Sequence, residues 1–283
     1  MCKQLTRVLL LWTIGACALA ETPAKTWMEP DTGMHFVAVP KGCFQMGSRD
    51  PVPPPPDTTW QFVGYKGTLS ENEQPQHEVC LDAFWMGKYE VQRKEWRALM
   101  GDEPKGATAR DDNDMPVVRV TWEQAQRFAQ KLNERAGGKH RYRLPTEAQW
   151  EYVCRIGTAK AGAPDRGQLA QIARYGLGTP KWDRFGPNLG AVGQKQANVL
   201  GVYDMLGNVW EWTEDAYQAD AYSRHVLFNP RVNGATASAP RVIRGGSFRT
   251  EFELVRCSKR GRQPENEALD SLGFRLIREL GQD

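Results

Sequence analysis

Residues 34 to 48 alternate apolar and polar positions around a Pro40-Lys41-Gly42 turn, a period of two that predicts two short strands. Further along the period lengthens. Trp122, Ala125, Phe128, Ala129 and Leu132 recur at helical spacing behind the capping box of Thr121 and Gln124, and the run stops at Gly137-Gly138. Thr146 with Gln149 repeats the device after Pro145 and sets Trp150, Val153 and Cys154 on one face. A third helix is predicted from about Gln92 to Met100. Apolar helical faces that carry Trp and Phe read as core, not as cofactor boxes. From Gly157 onward Gly, Asn and Pro dominate, leaving only short strand-like runs at Arg241–Ile243 and Gly273–Ile277.

Asp50 to Asp57 contains Pro51, Pro53, Pro54, Pro55 and Pro56, and proline has no amide proton to give to a sheet interior. This stretch therefore predicts a surface loop that runs to about Gln76. No repeat of 20 to 50 residues is present, which excludes solenoids and propellers.

Lys3 and Arg7 precede an apolar run from Val8 to Ala18 and the small-residue end Ala18-Leu19-Ala20. That order predicts a secretory signal peptide over residues 1–20, too short in its apolar part to span a bilayer. Ile14-Gly15-Ala16-Cys17 is the alternative, a lipoprotein site that would leave Cys17 acylated. Residues 21–283 remain, 263 in number, enough for a single domain with a sizeable core. The net charge of +3 is spread without a long Lys/Arg block, so nucleic acid is not an expected partner. Four cysteines stay in the mature chain, Cys43, Cys80, Cys154 and Cys257, and an even number after export favours disulfides in one of three pairings.

Several blocks follow one another in a telling order. They are Val37 to Ser48, Gln74 to Val79, Gly87 to Val91, Pro116 to Trp122, Tyr142 to Tyr152, Gly201-Val-Tyr-Asp-Met-Leu-Gly-Asn-Val-Trp-Glu-Trp-Thr213, Arg241-Val-Ile-Arg-Gly-Gly-Ser-Phe248 and Leu272-Gly-Phe-Arg275. Together they resemble the formylglycine-generating enzyme family, the sulfatase-modifying-factor domain, over nearly the whole stretch from Met34 to Ile277. The resemblance implies an α+β, C-type-lectin-like fold, loop-rich and low in regular secondary structure. It also implies that Cys154 pairs with Cys257, which leaves Cys43 to Cys80.

The family's structural calcium maps onto Asp204, Gly207, Val209 and Glu211: two carboxylates and two backbone carbonyls within eight residues, hard oxygen donors of the kind calcium takes. A second calcium found in some relatives needs a longer acidic loop, and Pro187-Asn188-Leu189-Gly190 runs almost straight into Ala191-Val192-Gly193, so one calcium at most is expected. Relatives with oxidase activity hold copper(I) on two cysteines past the Gly-Gly-Ser, because copper(I) prefers soft thiolates. Here Thr250 stands at the first of those positions, the second has no counterpart, and Cys257 matches the structural disulfide. Copper is therefore not an expected cofactor. The histidines His35, His77, His140 and His225 are scattered and show no metal-binding spacing.

At the family's active-site position stand Ser247, Arg249, Thr250, Glu251 and Glu253, with Trp210 expected nearby. A carboxylate there can take a proton while Arg249 steadies an anionic or phenolic group and Trp210 stacks on a ring. The alternative is an exposed ion-pair cluster of Arg249, Glu251 and Glu253, with Ser247 satisfying backbone groups. Among family members, an exported single-domain chain without the copper cysteines is similar to those that mature the siderophore pyoverdine in the periplasm. That similarity implies a siderophore peptide precursor as partner, with other periplasmic maturation enzymes alongside. The reaction implied is oxidation or tautomerisation of the dihydropyoverdine chromophore. The competing expectation is a non-catalytic binding or accessory module on the same fold.

Overall fold

The alternation at the start of the chain becomes two strands in the computed structural model, β2 (His35–Val39) and β3 (Gly42–Met46). Residues 24–49, 71–105, 113–156, 165–176, 189–234 and 239–281 are described. The expected signal peptide, with Cys17, and the proline-rich stretch from Asp50 to Asp57 lie outside them.

β2 belongs to a five-stranded sheet in the order β1 (Thr26–Met28), β2, β5 (Phe84–Gly87), β11 (Ile277–Glu279), β6 (Tyr142–Arg143), all neighbours antiparallel. β3 pairs instead with β4 (His77–Leu81), which sets Cys43 directly opposite Cys80. A four-stranded sheet follows the order β10 (Leu272–Gly273), β7 (Trp210–Ala216), β8 (Arg241–Arg244), β9 (Arg260–Gln263), with β10 parallel to β7. Gly261 of β9 is needed by close approach alone. A Cβ there would stand 2.7 Å from Ile243 Cγ1 and 3.2 Å from the Trp210 ring.

The predicted helices form where the caps are. α1 (Arg93–Met100), α2 (Trp122–Ala136) and α3 (Glu147–Arg155) each begin at a capping box, on Gln92, Thr121 and Thr146. α2 stops at Gly137, whose φ of 58° is the left-handed C-cap. A fourth helix, α4 (Arg166–Ile172), capped by Asp165, occupies part of the region where the sequence predicts only loops. Its one buried side chain is Leu169, which gives too weak a period to read.

α3 departs from the one-faced helix expected of it. Every residue from Glu147 to Cys154 is buried, including two glutamates. Glu147 pairs with Arg260 at 2.7 Å and Arg244 at 3.3 Å, and Glu151 pairs with Arg244 at 2.5 Å. Burial alone pushes the Glu147 carboxyl up, but Arg260 and Arg244 outweigh it and hold it below its usual range. A helix can thus be sunk between sheet and loops because its charges are met inside.

Both disulfides join as the family resemblance implies: Cys43 to Cys80, and Cys154 to Cys257 across 103 residues. No helix among the described residues is long and apolar enough to cross a membrane.

Candidate functional site

Three segments distant in sequence meet around the Gly-Gly-Ser turn and are knit by backbone hydrogen bonds. Gly207 N donates to Gly245 O at 2.9 Å, Phe248 N to Asn208 O at 2.8 Å, Asn208 N to Arg174 O at 2.8 Å, and Gly176 N to Thr250 O at 2.8 Å. Gly207 cannot be replaced without movement. It has φ of 77°, and a Cβ on it would stand 2.1 Å from Arg174 O.

Within this frame Ser247 and Thr250 satisfy each other and their own turn. Thr250 Oγ1 accepts from Ser247 N at 2.8 Å, the two hydroxyls lie 3.3 Å apart, and Ser247 Oγ accepts from Arg249 N at 3.2 Å. Both residues are buried, and the hydrogen bonds of Ser247 run to neighbours in the turn, not to a basic side chain. Nothing there activates a nucleophile.

The charged residues look outward. Arg249 Nη2 bonds Asp270 at 2.8 Å, and its guanidinium lies over the Phe248 ring. Glu253 meets Arg166 at 3.5 Å, both partly exposed. Glu251 is half-buried, and its backbone bridges to Gly176. Trp210 packs over Gly261 and the core beneath α1 and α2, and no hydrogen bond or ring contact joins it to Ser247 or Thr250. Arg249, Thr250 and Glu251 are consecutive in this turn, and the Trp210 amide donates to Ser271 O at 2.8 Å, next to the Asp270 that pairs with Arg249.

Just behind the turn is a group of buried acids. Glu211 is held by Arg275 and by Trp150 Nε1 at 2.8 Å. Glu90 accepts from Asn208 Nδ2 at 2.6 Å and Val209 N at 3.1 Å, and Asp204 accepts from Gly193 N at 2.6 Å. Burial, with Asp204 and Glu211 beside it, raises the Glu90 carboxyl well above its usual range, and burial likewise raises Asp204. Three buried carboxylates thus share one guanidinium.

Burial thus favours the protonated form of Glu90 and Asp204, and a hard cation beside them would favour the ionised form instead. No group of three His, Cys, Asp or Glu side chains among the described residues is set out as metal ligands. Glu211 Oε2 already accepts from Trp150 and Arg275 and Oε1 from Arg275 alone, so a calcium held by Asp204, the carbonyls of Gly207 and Val209, and Glu211 would use the Oε1 side of Glu211. Its role there would be to brace the loop.

Two residues of this neighbourhood are missing from the sequence reading. Glu90 lies inside the Gly87 to Val91 block, so its position in a signature was the available signal. Arg174 lay in a stretch read as loop and gave none. Its guanidinium lies flat on Gly190, where a Cβ would be 2.4 Å from Cζ, and its Nε is buried without a hydrogen bond. His77 and His225, expected to be scattered, meet with Nε2 and Nδ1 3.0 Å apart. Burial lowers the His225 pKa to about 4.

Sheets, helices and the Gly-Gly-Ser turn together define a scaffold of the formylglycine-generating-enzyme type, one whose four described cysteines are all consumed in disulfides. The chain belongs to the family of the sulfatase-modifying factor enzyme 1-like domain, whose model matches residues 23–280. It is similar to the formylglycine-generating enzyme of Bos taurus, with 24% identity over 87% of this chain and 75% of that one. It is 30% identical to the inactive C-alpha-formylglycine-generating enzyme 2 of Bos taurus, over 79% of this chain and 68% of that one. Among solved structures, PvdO from Pseudomonas aeruginosa is similar with a TM-score of 0.72 and 25% identity, covering 92% of this chain and 100% of that one.

Proposed function

We propose that this protein acts in the periplasm on a pyoverdine-type siderophore peptide precursor, completing its chromophore at the dihydropyoverdine stage. The observation that carries this reading is the full-length likeness to PvdO. Formylglycine generation is the poorer reading, because Thr250 replaces the first copper cysteine and every described cysteine is in a disulfide.

With no thiol pair among the described residues, the residues at hand can move protons. Glu251 or Glu253 takes a proton from the partly reduced ring and Arg249 steadies the developing phenolate, while dioxygen or a previously formed quinone accepts the two electrons. Tautomerisation of an already oxidised intermediate needs no electron acceptor, so it asks less of this chain than direct oxidation does. The test is to incubate the purified protein with dihydropyoverdine and follow chromophore fluorescence. Turnover by the wild type that falls at least tenfold in Glu251→Gln or Glu253→Gln supports the reading; wild-type rates in both remove these carboxylates from the mechanism.

A second reading, a non-catalytic binding or accessory module, draws on the mutual hydrogen bonds of Ser247 and Thr250 and on the Arg249–Asp270 pair. The likeness to an inactive family member points the same way. Saturable binding of the precursor without turnover would favour it.

A further inference from the structure

His77 of β4 and His225, which follows the short turn Ala221–Ser223, are 148 residues apart in sequence and meet edge to face. His77 Nε2 lies 3.0 Å from His225 Nδ1, with the ring centroids 5.0 Å apart. Tyr222 packs its ring against both, at 5.0 and 5.2 Å. Both imidazoles are only half-buried, and Ser223, Arg224 and Val226 on either side of His225 are exposed. The pair therefore borders open surface.

The protons of the pair can be placed. His77 Nδ1 lies 3.0 Å from the Pro75 carbonyl oxygen, which can only accept, so a neutral His77 carries its proton there and turns the Nε2 lone pair toward His225. His225 Nδ1–H then donates to it. His225 Nε2 is left buried with no partner, so no second bond holds that ring in one tautomer. A histidine with one nitrogen fixed on a backbone carbonyl and the other aimed at a second imidazole has the arrangement of a metal ligand. Burial lowers the His225 pKa to about 4, which keeps this ring neutral and able to ligate near pH 7.

Two nitrogens 3.0 Å apart, each about 2.0–2.1 Å from one ion, subtend about 90–100° at it. That is the angle between adjacent corners of a square, whereas a tetrahedral ion asks for about 109° and a wider gap. Among the described residues no third protein ligand completes the set. The Tyr222 hydroxyl is spent on Glu147 and Glu151, those acids on Arg244 and Arg260, and Asp220 on Arg224.

We propose that His77 Nε2 and His225 Nδ1 form a surface site for a square-planar divalent transition-metal ion, copper(II) above the others, with water in the remaining positions. On binding, the proton of His225 Nδ1 passes to Nε2 and the ion takes its place between the rings, with no change of oxidation state. The ligands are imidazoles, not the thiolates that hold copper(I) in oxidase relatives, and the site is independent of the reaction proposed above. An ion there joins β4 to the segment after Ser223.

The test is to titrate copper(II) into the full-length protein against free glycine as competitor and to read the bound ion by continuous-wave and pulsed electron paramagnetic resonance. Saturable binding with a tetragonal spectrum and two equatorial imidazoles is expected, with zinc at least tenfold weaker. His77→Gln and His225→Gln should each lower copper affinity at least tenfold and leave one imidazole on the ion, whereas His140→Gln should change neither. Near-ultraviolet circular dichroism reports folding. If His225→Gln does not fold, His77→Gln and the wild-type spectrum decide. Wild-type copper affinity in folded His77→Gln, a wild-type spectrum with fewer than two imidazoles, or zinc bound as tightly as copper overturns the proposal.

Discussion

The Glu211 carboxylate receives Arg275 Nε at 2.7 Å and Nη2 at 2.6 Å, and neither side chain is more than 1% exposed. This two-bond pair joins β7 to the segment between β10 and β11, so it ties the two larger sheets together. Arg275→Met would leave Glu211 uncompensated beside Glu90 and Asp204. The expected cost is about 3–5 kcal/mol, read as a lower urea midpoint. A variant within about 1 kcal/mol of the wild type would show that the pair is not needed.

Calcium, if it rests on Asp204, Glu211 and the Gly207 and Val209 carbonyls, favours the ionised form of the buried acids. Adding it to chelator-treated protein is expected to raise the thermal midpoint by several degrees, and Asp204→Ala to abolish the rise. A midpoint indifferent to both calcium and chelator would mean that the acids are neutralised without a metal.

Cys43 is exposed on β3 and bonded to a buried Cys80, whereas Cys154 is buried on α3 and bonded to a half-buried Cys257. Thiol exchange needs access to sulfur, so limited reduction should open Cys43–Cys80 first, as alkylation and peptide mass mapping would record. Replacing Cys154 and Cys257 by Ser is the costlier change. It frees a loop of 103 residues and is expected to cost about 4–5 kcal/mol in the chain-entropy view. Simultaneous reduction of both bridges would contradict the role given to exposure.

Burial raises the Glu95 pKa to about 7, although it caps α1 by accepting from Gln92 N at 2.8 Å. Between the ordinary carboxyl pKa of about 4.3 and that value, the folded chain holds a proton that the unfolded chain has released. Glu95 therefore favours the fold most at acidic pH, and its contribution is lost as pH rises through about 7. Glu95→Gln retains the capping box and removes this titration. Its stability should fall less steeply between pH 5 and 7, by up to about 1.4 kcal/mol per pH unit, in denaturant melts at fixed ionic strength. Parallel slopes in the two proteins would refute the assignment.

Much of this architecture was readable because it depends on short-range rules. Thr121, Thr146 and the glycines after Ala136 act within a few residues, so their helices start or stop where expected. α4 was missed for the opposite reason, since a single buried Leu169 leaves no period to detect. Around the candidate site, the order of signature blocks pointed to Ser247 and Thr250, but not to their being bonded to one another. Nor could it set Trp210 over Gly261, or seat Arg174 on Gly190.

The chain's own letters determined its family, its capped helices and the Thr250 that stands where the family resemblance places the first copper cysteine. Folding alone decided which charges face each other. Glu147 reaches Arg260 across 113 residues, Glu211 reaches Arg275 across 64, and Arg278 finds two indoles in place of an acid. The physical reason is range. Capping and periodicity act over three or four neighbours along the chain, whereas electrostatic pairing and desolvation depend on distances that exist only after the sheets have closed.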